Sequence, residues 1–313
     1  MEREKRICLR SRDFDFIMYL SEYGIITNEN VKLFYDSKYY YKNRLASLAK
    51  GEFIERLYGK VVLGRKGKSY LNETGLGYRN INRNETYKNR MERISDVSCK
   101  VQLAGWFFEP SWRCNINTFT KRGNRFIGVM SREKRHCGES DEDYYNRSYI
   151  VYFLHREITP RELKYIDKEV DRNKNIFRGT MIFIEDKWLL KHPKFTSLGY
   201  RENYTILYQK EIWNIFKNIK DKDYMKNRIV DIFGEDIDRV NGYIYEMYCK
   251  KEDDLCTYIF PMPFADFSIM DWINDMVDSS LFGNTRFKVV CNDFCLGEVR
   301  KVLKDEVDVI CII

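Results

Sequence analysis

The apolar period of this chain changes sharply at Gly51. Upstream of it, Phe16, Ile17, Leu20 and Tyr23 recur at i, i+1, i+4 and i+7, one stripe of a helix over 13–23. Ser11 or Asp13 can cap that helix, and Gly24 stands where a left-handed C-terminal cap is needed. Ile25-Ile26 lead into a second helix with Thr27 as N-cap, and Val31, Leu33 and Phe34 form its apolar face. A third helix runs from Asp36 or Ser37 to about Lys50, with Tyr41, Leu45 and Leu48 on one face. Beyond Gly51 the pattern alternates. Phe53–Leu57 and Lys60–Leu63 read as strands, and Gly64-Arg65-Lys66-Gly67-Lys68 reads as a basic, glycine-flanked tip ahead of a further strand at 69–71.

Charge sharpens this division. Residues 1–100 carry 21 Lys and Arg against 13 Asp and Glu, a net of +8, and the remaining 213 carry 33 against 34, a net of −1. A basic module on a neutral body points to one part that meets a polyanion and another with a different task. Three short helices followed by a basic β-ribbon is the order of a winged helix-turn-helix, whose third helix enters the DNA major groove. The face expected there carries Lys38, Tyr39, Tyr40, Lys42, Asn43, Arg44 and Ser47. Arg pairs bidentate with guanine and Asn with adenine, while Ser, Tyr and Lys anchor phosphates. The wing tip would bring Arg65, Lys66 and Lys68 to the DNA backbone or the minor groove. The expected partner is double-stranded DNA.

Residues 16–77 resemble the N-terminal part of the replication-relaxation family of plasmids and mobile elements. The stretches Ile17–Thr27, Asn43–Arg56 and Lys68–Gly75 carry the likeness: a Thr-opened second helix, an Arg-Leu-x-x-Leu third helix, and a wing ending near Thr74-Gly75. Asn72 stands where that pattern has Thr. The resemblance implies DNA binding in plasmid replication, mobilisation or their transcriptional control. It also implies a nuclease-like α/β C-terminal part, active or degenerate.

The expected fold class is α/β: a winged helix over 1–84, a linking or dimerisation helix over 85–109, and a larger α/β domain over 110–313 with a mostly parallel or mixed sheet. The helix at about 85–105 carries Met91, Ile94, Val97 and Val101, a stripe that serves either the core or a homodimer seam. In the body, 125–130, 148–154, 180–184, 204–208, 287–291 and 307–311 read as strands, with helices at 159–172, 209–219 and 296–303. Residues 131–146 read as a loop, and no sequence repeat is present.

The body lacks a Gly-rich nucleotide fingerprint, a P-loop and a nucleophile elbow, so no cofactor is expected. Its three histidines and nine cysteines show no metal-ligand spacing, so no metal site is expected. One constellation remains, Glu185-Asp186-Lys187 after an apolar strand. A carboxylate and a lysine so placed form half of an Mg²⁺-dependent nuclease site, with Glu185 on metal and Lys187 on the attacking water. Its second carboxylate would come from Asp141, Asp143 or Glu157. Two functions therefore stand: a non-enzymatic DNA-binding protein, or a nuclease targeted by the winged helix. The absence of a long apolar run, of a signal core near residue 1 and of paired cysteine motifs leads to the expectation of a cytoplasmic chain with reduced thiols and no membrane contact.

Overall fold

The computed structural model describes residues 8–35, 39–81, 84–116, 125–186, 189, 202–240, 246–279 and 284–312. It divides into two compact units, Met1–Lys100 and Val101–Ile313, so the whole positive excess of the sequence belongs to the first.

In the first unit, α1 (Ser11–Tyr23) buries Phe16, Ile17, Leu20 and Tyr23 and ends on Gly24 at φ 76°, the left-handed cap expected of it. Its N-cap is Arg10, whose amide donates to the Asp13 carboxylate three residues on at 2.7 Å. Ile25–Thr27 is a strand, β1, rather than a helix entry, because it finds β3 as a partner. Thr27 caps the short α2 (Asn28–Val31) and accepts from the Asn30 amide. A 3-10 turn at Lys32–Phe34 follows, and α3 spans Tyr40–Lys50. Lys38 and the expected helix start at 36–37 lie outside the described residues. The hairpin β2 (Ile54–Leu57) and β3 (Lys60–Leu63) adds to β1 in an antiparallel sheet of order β1-β3-β2. Leu45, Leu48, Ile54, Val61, Leu63 and Leu71 join the α1 stripe in one core.

The basic segment after β3 differs from the expected ribbon tip. It is helical: α4 spans Arg65–Glu73, with Gly64 as N-cap. The two glycines serve close approach rather than a turn. A Cβ on Gly64 would stand 2.4 Å from the Glu52 carbonyl oxygen, and one on Gly67 2.2 Å from that of Phe53. Gly67 and Leu71, one helical turn apart, are buried, which fixes the helical face. The hairpin tip is instead Tyr58-Gly59, at φ 39° and 81°, two residues in the left-handed region as a two-residue hairpin turn requires.

The long helix α5 (Glu85–Leu103) belongs to this unit as far as Lys100. Tyr19 Oη donates to the Ser95 carbonyl at 2.8 Å, Ser98 Oγ donates to Tyr23 Oη at 2.8 Å, and Asn30 Nδ2 donates to Asp96 at 2.7 Å. Met91, Ile94 and Val97 are fully buried, so the stripe serves the core and is not left open as a seam.

The second unit holds two five-stranded mixed sheets, where the sequence suggested one. The first has the order β4-β5-β6-β7-β8: Phe107–Pro110, Gly128–Ser131, Tyr149–Leu154, Gly179–Ile184 and Glu202–Leu207. The second has the order β9-β10-β11-β12-β13: Asp238–Arg239, Tyr248–Glu252, Leu255–Met262, Thr285–Asn292 and Val307–Ile312. Each runs antiparallel, antiparallel, parallel, parallel across its four pairings. A helix also makes the crossover from the third to the fourth strand of each: α7 (Pro160–Asn173) in the first and α10 (Phe267–Asp278) in the second. The topology therefore repeats where the sequence does not. Thr159 and Glu162 form a capping box around Pro160 at the start of α7, as that sequence demands.

The segment 131–146 is not all loop. Ser140 accepts from the Asp143 amide and starts α6 (Asp141–Asn146), whose Tyr144 and Tyr145 are buried. Between the sheets in chain order come α8 (Ile212–Ile219) and α9 (Tyr224–Phe233), and α11 (Asp293–Val302) links the last two strands. No helix among the described residues is long and apolar enough to cross a membrane.

Candidate nucleic-acid interface

The first unit exposes one side of α3. On α3, Leu45 and Leu48 point into the core, Tyr40, Tyr41, Arg44 and Ala49 are half-buried, and Tyr39, Lys42, Asn43, Ala46, Ser47 and Lys50 are exposed. The exposed positions recur at three- and four-residue intervals and so line one side of the helix. Four of the residues expected to read DNA, namely Tyr39, Lys42, Asn43 and Ser47, share this side. Tyr39 is 78% exposed. Ser47 Oγ donates to the Asn43 carbonyl at 3.0 Å, which leaves its lone pairs to solvent.

Arg44 and Tyr40 stand elsewhere. Arg44 Nε donates to Asp13 Oδ1 at 2.9 Å, and Nη2 donates to Asp13 Oδ2 and to the Cys8 carbonyl at 2.7 Å. Its side chain is 12% exposed and that of Asp13 is 1% exposed. Tyr35 Oη donates to Asp13 at 3.0 Å, so the carboxylate collects Arg44, Tyr35 and the Arg10 amide. Burial pushes the Asp13 carboxyl up, but the hydrogen bonds from Arg44, the Arg10 amide and Tyr35 outweigh it and hold it below its ordinary value. The bond to Asp13 in turn raises Arg44. This arginine is a strut between α1 and α3, not the groove-reading residue that its sequence position suggests. A helical wheel places Arg44 at the edge between the two faces, and a buried acid 31 residues earlier decides its side. Tyr40 accepts from Arg10 Nη1 at 2.7 Å with the guanidinium 5.6 Å from its ring centre, which ties it to the start of α1.

The hairpin springs directly from the C-terminus of α3. The amides of Gly51, Glu52 and Phe53 donate to the carbonyls of Ser47, Ala49 and Leu48. On β2, Glu55, Arg56 and Leu57 are exposed, and Tyr58 at the tip is fully so. Arg56, Tyr58 and Lys50 were not among the residues singled out from sequence. The signal that could have found the tip is Tyr58-Gly59, the only two residues between two alternating runs. Arg65, Lys66 and Lys68, expected at that tip, lie on α4: Arg65 and Lys66 are exposed, Lys68 is half-buried, and Arg65 pairs with Glu52 at 2.7 Å.

In the second unit, Glu185 and Asp186 follow β7, and Lys187 lies outside the described residues. Glu185 accepts the Arg156 amide at 3.2 Å, and Asp186 pairs with the Arg156 guanidinium at 3.0 Å. Of the expected second carboxylates, Asp141 pairs with Arg135 and accepts from Asn115, Asp143 belongs to the α6 cap, and Glu157 is exposed on the loop after β6. No group of three or more His, Cys, Asp and Glu among the described residues could hold a metal ion. The same unit contains a cavity of about 640 Å³ whose wall mixes Arg132, Arg178 and Arg239 with Glu202, Glu246 and Asp266. Arg178 pairs with Glu202 at 2.6 Å, and Tyr149 also donates to that carboxylate. Arg132 stacks over Trp106, and its buried Nε has no hydrogen-bond partner among the described residues.

No family model matches the chain, and neither a curated protein nor a solved structure is significantly similar to it.

Proposed function

We propose that the chain is a sequence-specific double-stranded DNA-binding protein. Its first unit acts as a winged helix-turn-helix, with α3 in the major groove and the β2–β3 hairpin as the wing. The observation that carries this reading is the exposed face of α3, Tyr39, Lys42, Asn43, Ala46, Ser47 and Lys50, in the unit that holds all the excess positive charge. An asparagine amide matches the N6 and N7 edge of adenine, and lysines on either side match phosphates. Arg56 and Tyr58 at the hairpin's exposed end supply a cation and a ring to the adjoining backbone. The resemblance of residues 16–77 to replication-relaxation proteins directs the role toward replication, mobilisation or transcriptional control on a plasmid or other mobile element. A homodimer on a palindromic site would set two α3 helices about one DNA turn apart.

Fluorescence anisotropy of the full chain on labelled duplexes from its own replicon, read across a salt series, tests the reading. The logarithm of affinity should fall linearly with that of salt, by about 0.9 per neutralised phosphate. Lys42→Ala and Lys50→Ala should each lower the slope by about 1, and Asn43→Ala should cost about 1–3 kcal/mol on the preferred site only. Binding that is indifferent to all three substitutions would remove α3 from the interface. Supercoiled plasmid incubated with Mg²⁺ separates binding from the competing nuclease reading, and unchanged topology is the expected result.

A further inference from the structure

The nine cysteines play no part in the proposed DNA contact, and in the second sheet two of them meet. Cys249 on β10 and Cys256 on β11 have their sulfur atoms 2.7 Å apart. In the ladder Cys249 sits opposite Tyr258 and Cys256 opposite Lys251, so the two cysteines are diagonal neighbours on one face of the hairpin. No other two cysteine sulfurs among the described residues are in hydrogen-bond contact. Cys249 is 7% exposed, whereas Cys256 is half-buried. From this geometry we infer that Cys249 and Cys256 form a reversible two-electron oxidation site, in which a peroxide converts the thiol pair to an intramolecular disulfide across the β10–β11 hairpin.

The placement assigns each sulfur its step. Cys256, the accessible one, attacks a peroxide oxygen as thiolate. The S–O bond forms, the O–O bond breaks, and hydroxide leaves and is protonated to water, giving a sulfenic acid on Cys256. Cys249 then gives up its proton and attacks the Cys256 sulfur. The S–S bond forms, the S–O bond breaks, and the departing hydroxide takes that proton as a second water. Two thiols are oxidised, and one hydrogen peroxide is reduced to two waters. Burial and the neighbouring Cys256 push the Cys249 thiol above its ordinary value, so it stays a protonated thiol until the Cys256 sulfur beside it is activated. A disulfide needs the sulfurs at about 2.0 Å, so they close by less than about 1 Å and the strands keep their register. A dithiol reductant reverses the bond by thiol–disulfide exchange through the same accessible Cys256.

The test uses the full chain, reduced and desalted, then treated with hydrogen peroxide and capped with N-ethylmaleimide. Two fewer adducts by intact mass are expected, and both must return after dithiothreitol. Trypsin cuts after Lys250 and Lys251, between the two cysteines, so the bond appears as a cross-linked peptide pair that collapses on reduction. Cys249→Ser and Cys256→Ser should each abolish the pair, while Cys8→Ser and Cys137→Ser, at exposed cysteines, should leave it intact. The mapping on the unsubstituted chain stands even where a serine variant misfolds. Full alkylation of both cysteines at a peroxide dose that oxidises Cys8 or Cys137, or cross-links mapped only to those exposed thiols, would overturn the inference.

Discussion

Replacing Arg44 by Ala separates a strut from a DNA contact. The substitution leaves the Asp13 carboxylate with the Tyr35 hydroxyl and the Arg10 amide, in a site where its own side chain is 1% exposed. Removing one partner of a buried, hydrogen-bonded ion pair costs about 3–5 kcal/mol, because the other charge stays behind uncompensated. For a unit of this size each kcal/mol moves the melting midpoint by roughly 4–8 °C, so Arg44→Ala should lower the first unit's transition by more than about 10 °C. Asp13→Ala should cost a comparable amount. The double variant should cost less than the sum of the two, since the second change removes a charge that the first left stranded. Asp13 is held below its ordinary 3.8 in the folded state, so the pair's contribution is fully present above that value. It is lost as pH falls through the lower folded value, and Arg44→Ala should flatten the acid limb of the stability profile. Calorimetry of the full chain reads the first transition, and circular dichroism at low temperature confirms that the variant is folded during binding assays. A variant with an unchanged midpoint and abolished DNA binding would refute the argument and return Arg44 to the groove.

Other substitutions probe the rest of the frame. Gly67→Ala should destabilise the first unit by about 1–3 kcal/mol, since the new methyl meets the Phe53 carbonyl at 2.2 Å, while Gly77→Ala, with open space around it, should be silent in the same denaturant titration. Gly297, inside α11 with nothing within 4 Å of its added Cβ, should gain about 0.4–1 kcal/mol on replacement by Ala, read as a raised urea midpoint of the second unit. Glu202→Ala should cost the second unit about 1–3 kcal/mol by removing the partner of the part-exposed Arg178 and the acceptor of Tyr149; a midpoint within error of the unsubstituted chain would show that solvent already carries that charge.

What the sequence disclosed and what it hid divide along one physical line. Features set by neighbours within a turn or two were legible. They include the α1 stripe and its Gly24 cap, the Thr159-Pro160 start of α7, and the apolar runs that became β6 and β7. Features decided by contacts distant in sequence were not. Gly64 and Gly67 carry the chemistry of a turn, and the close approach of the 52–53 backbone accounts for glycine at the cap and in the first turn of a helix instead. Ile25–Thr27 has a strand's composition but is too short to declare itself without the pairing to β3. Arg44 belongs by composition with Lys42 and Asn43, and Asp13 takes it away. The exposed face of α3 was accordingly half legible. The 3.6-residue period gave Tyr39, Lys42, Asn43 and Ser47 one side of the helix, and the same period extended by one turn reaches Lys50. In the body, the two sheets share one strand order without a shared sequence pattern. That order can recur because a buried parallel strand asks only for an apolar run and a helical return, and many unrelated sequences supply both. A surface site makes the opposite demand. Its residues must be named types at fixed positions, which is why the exposed side of a single helix bears more on function here than the architecture of the larger unit.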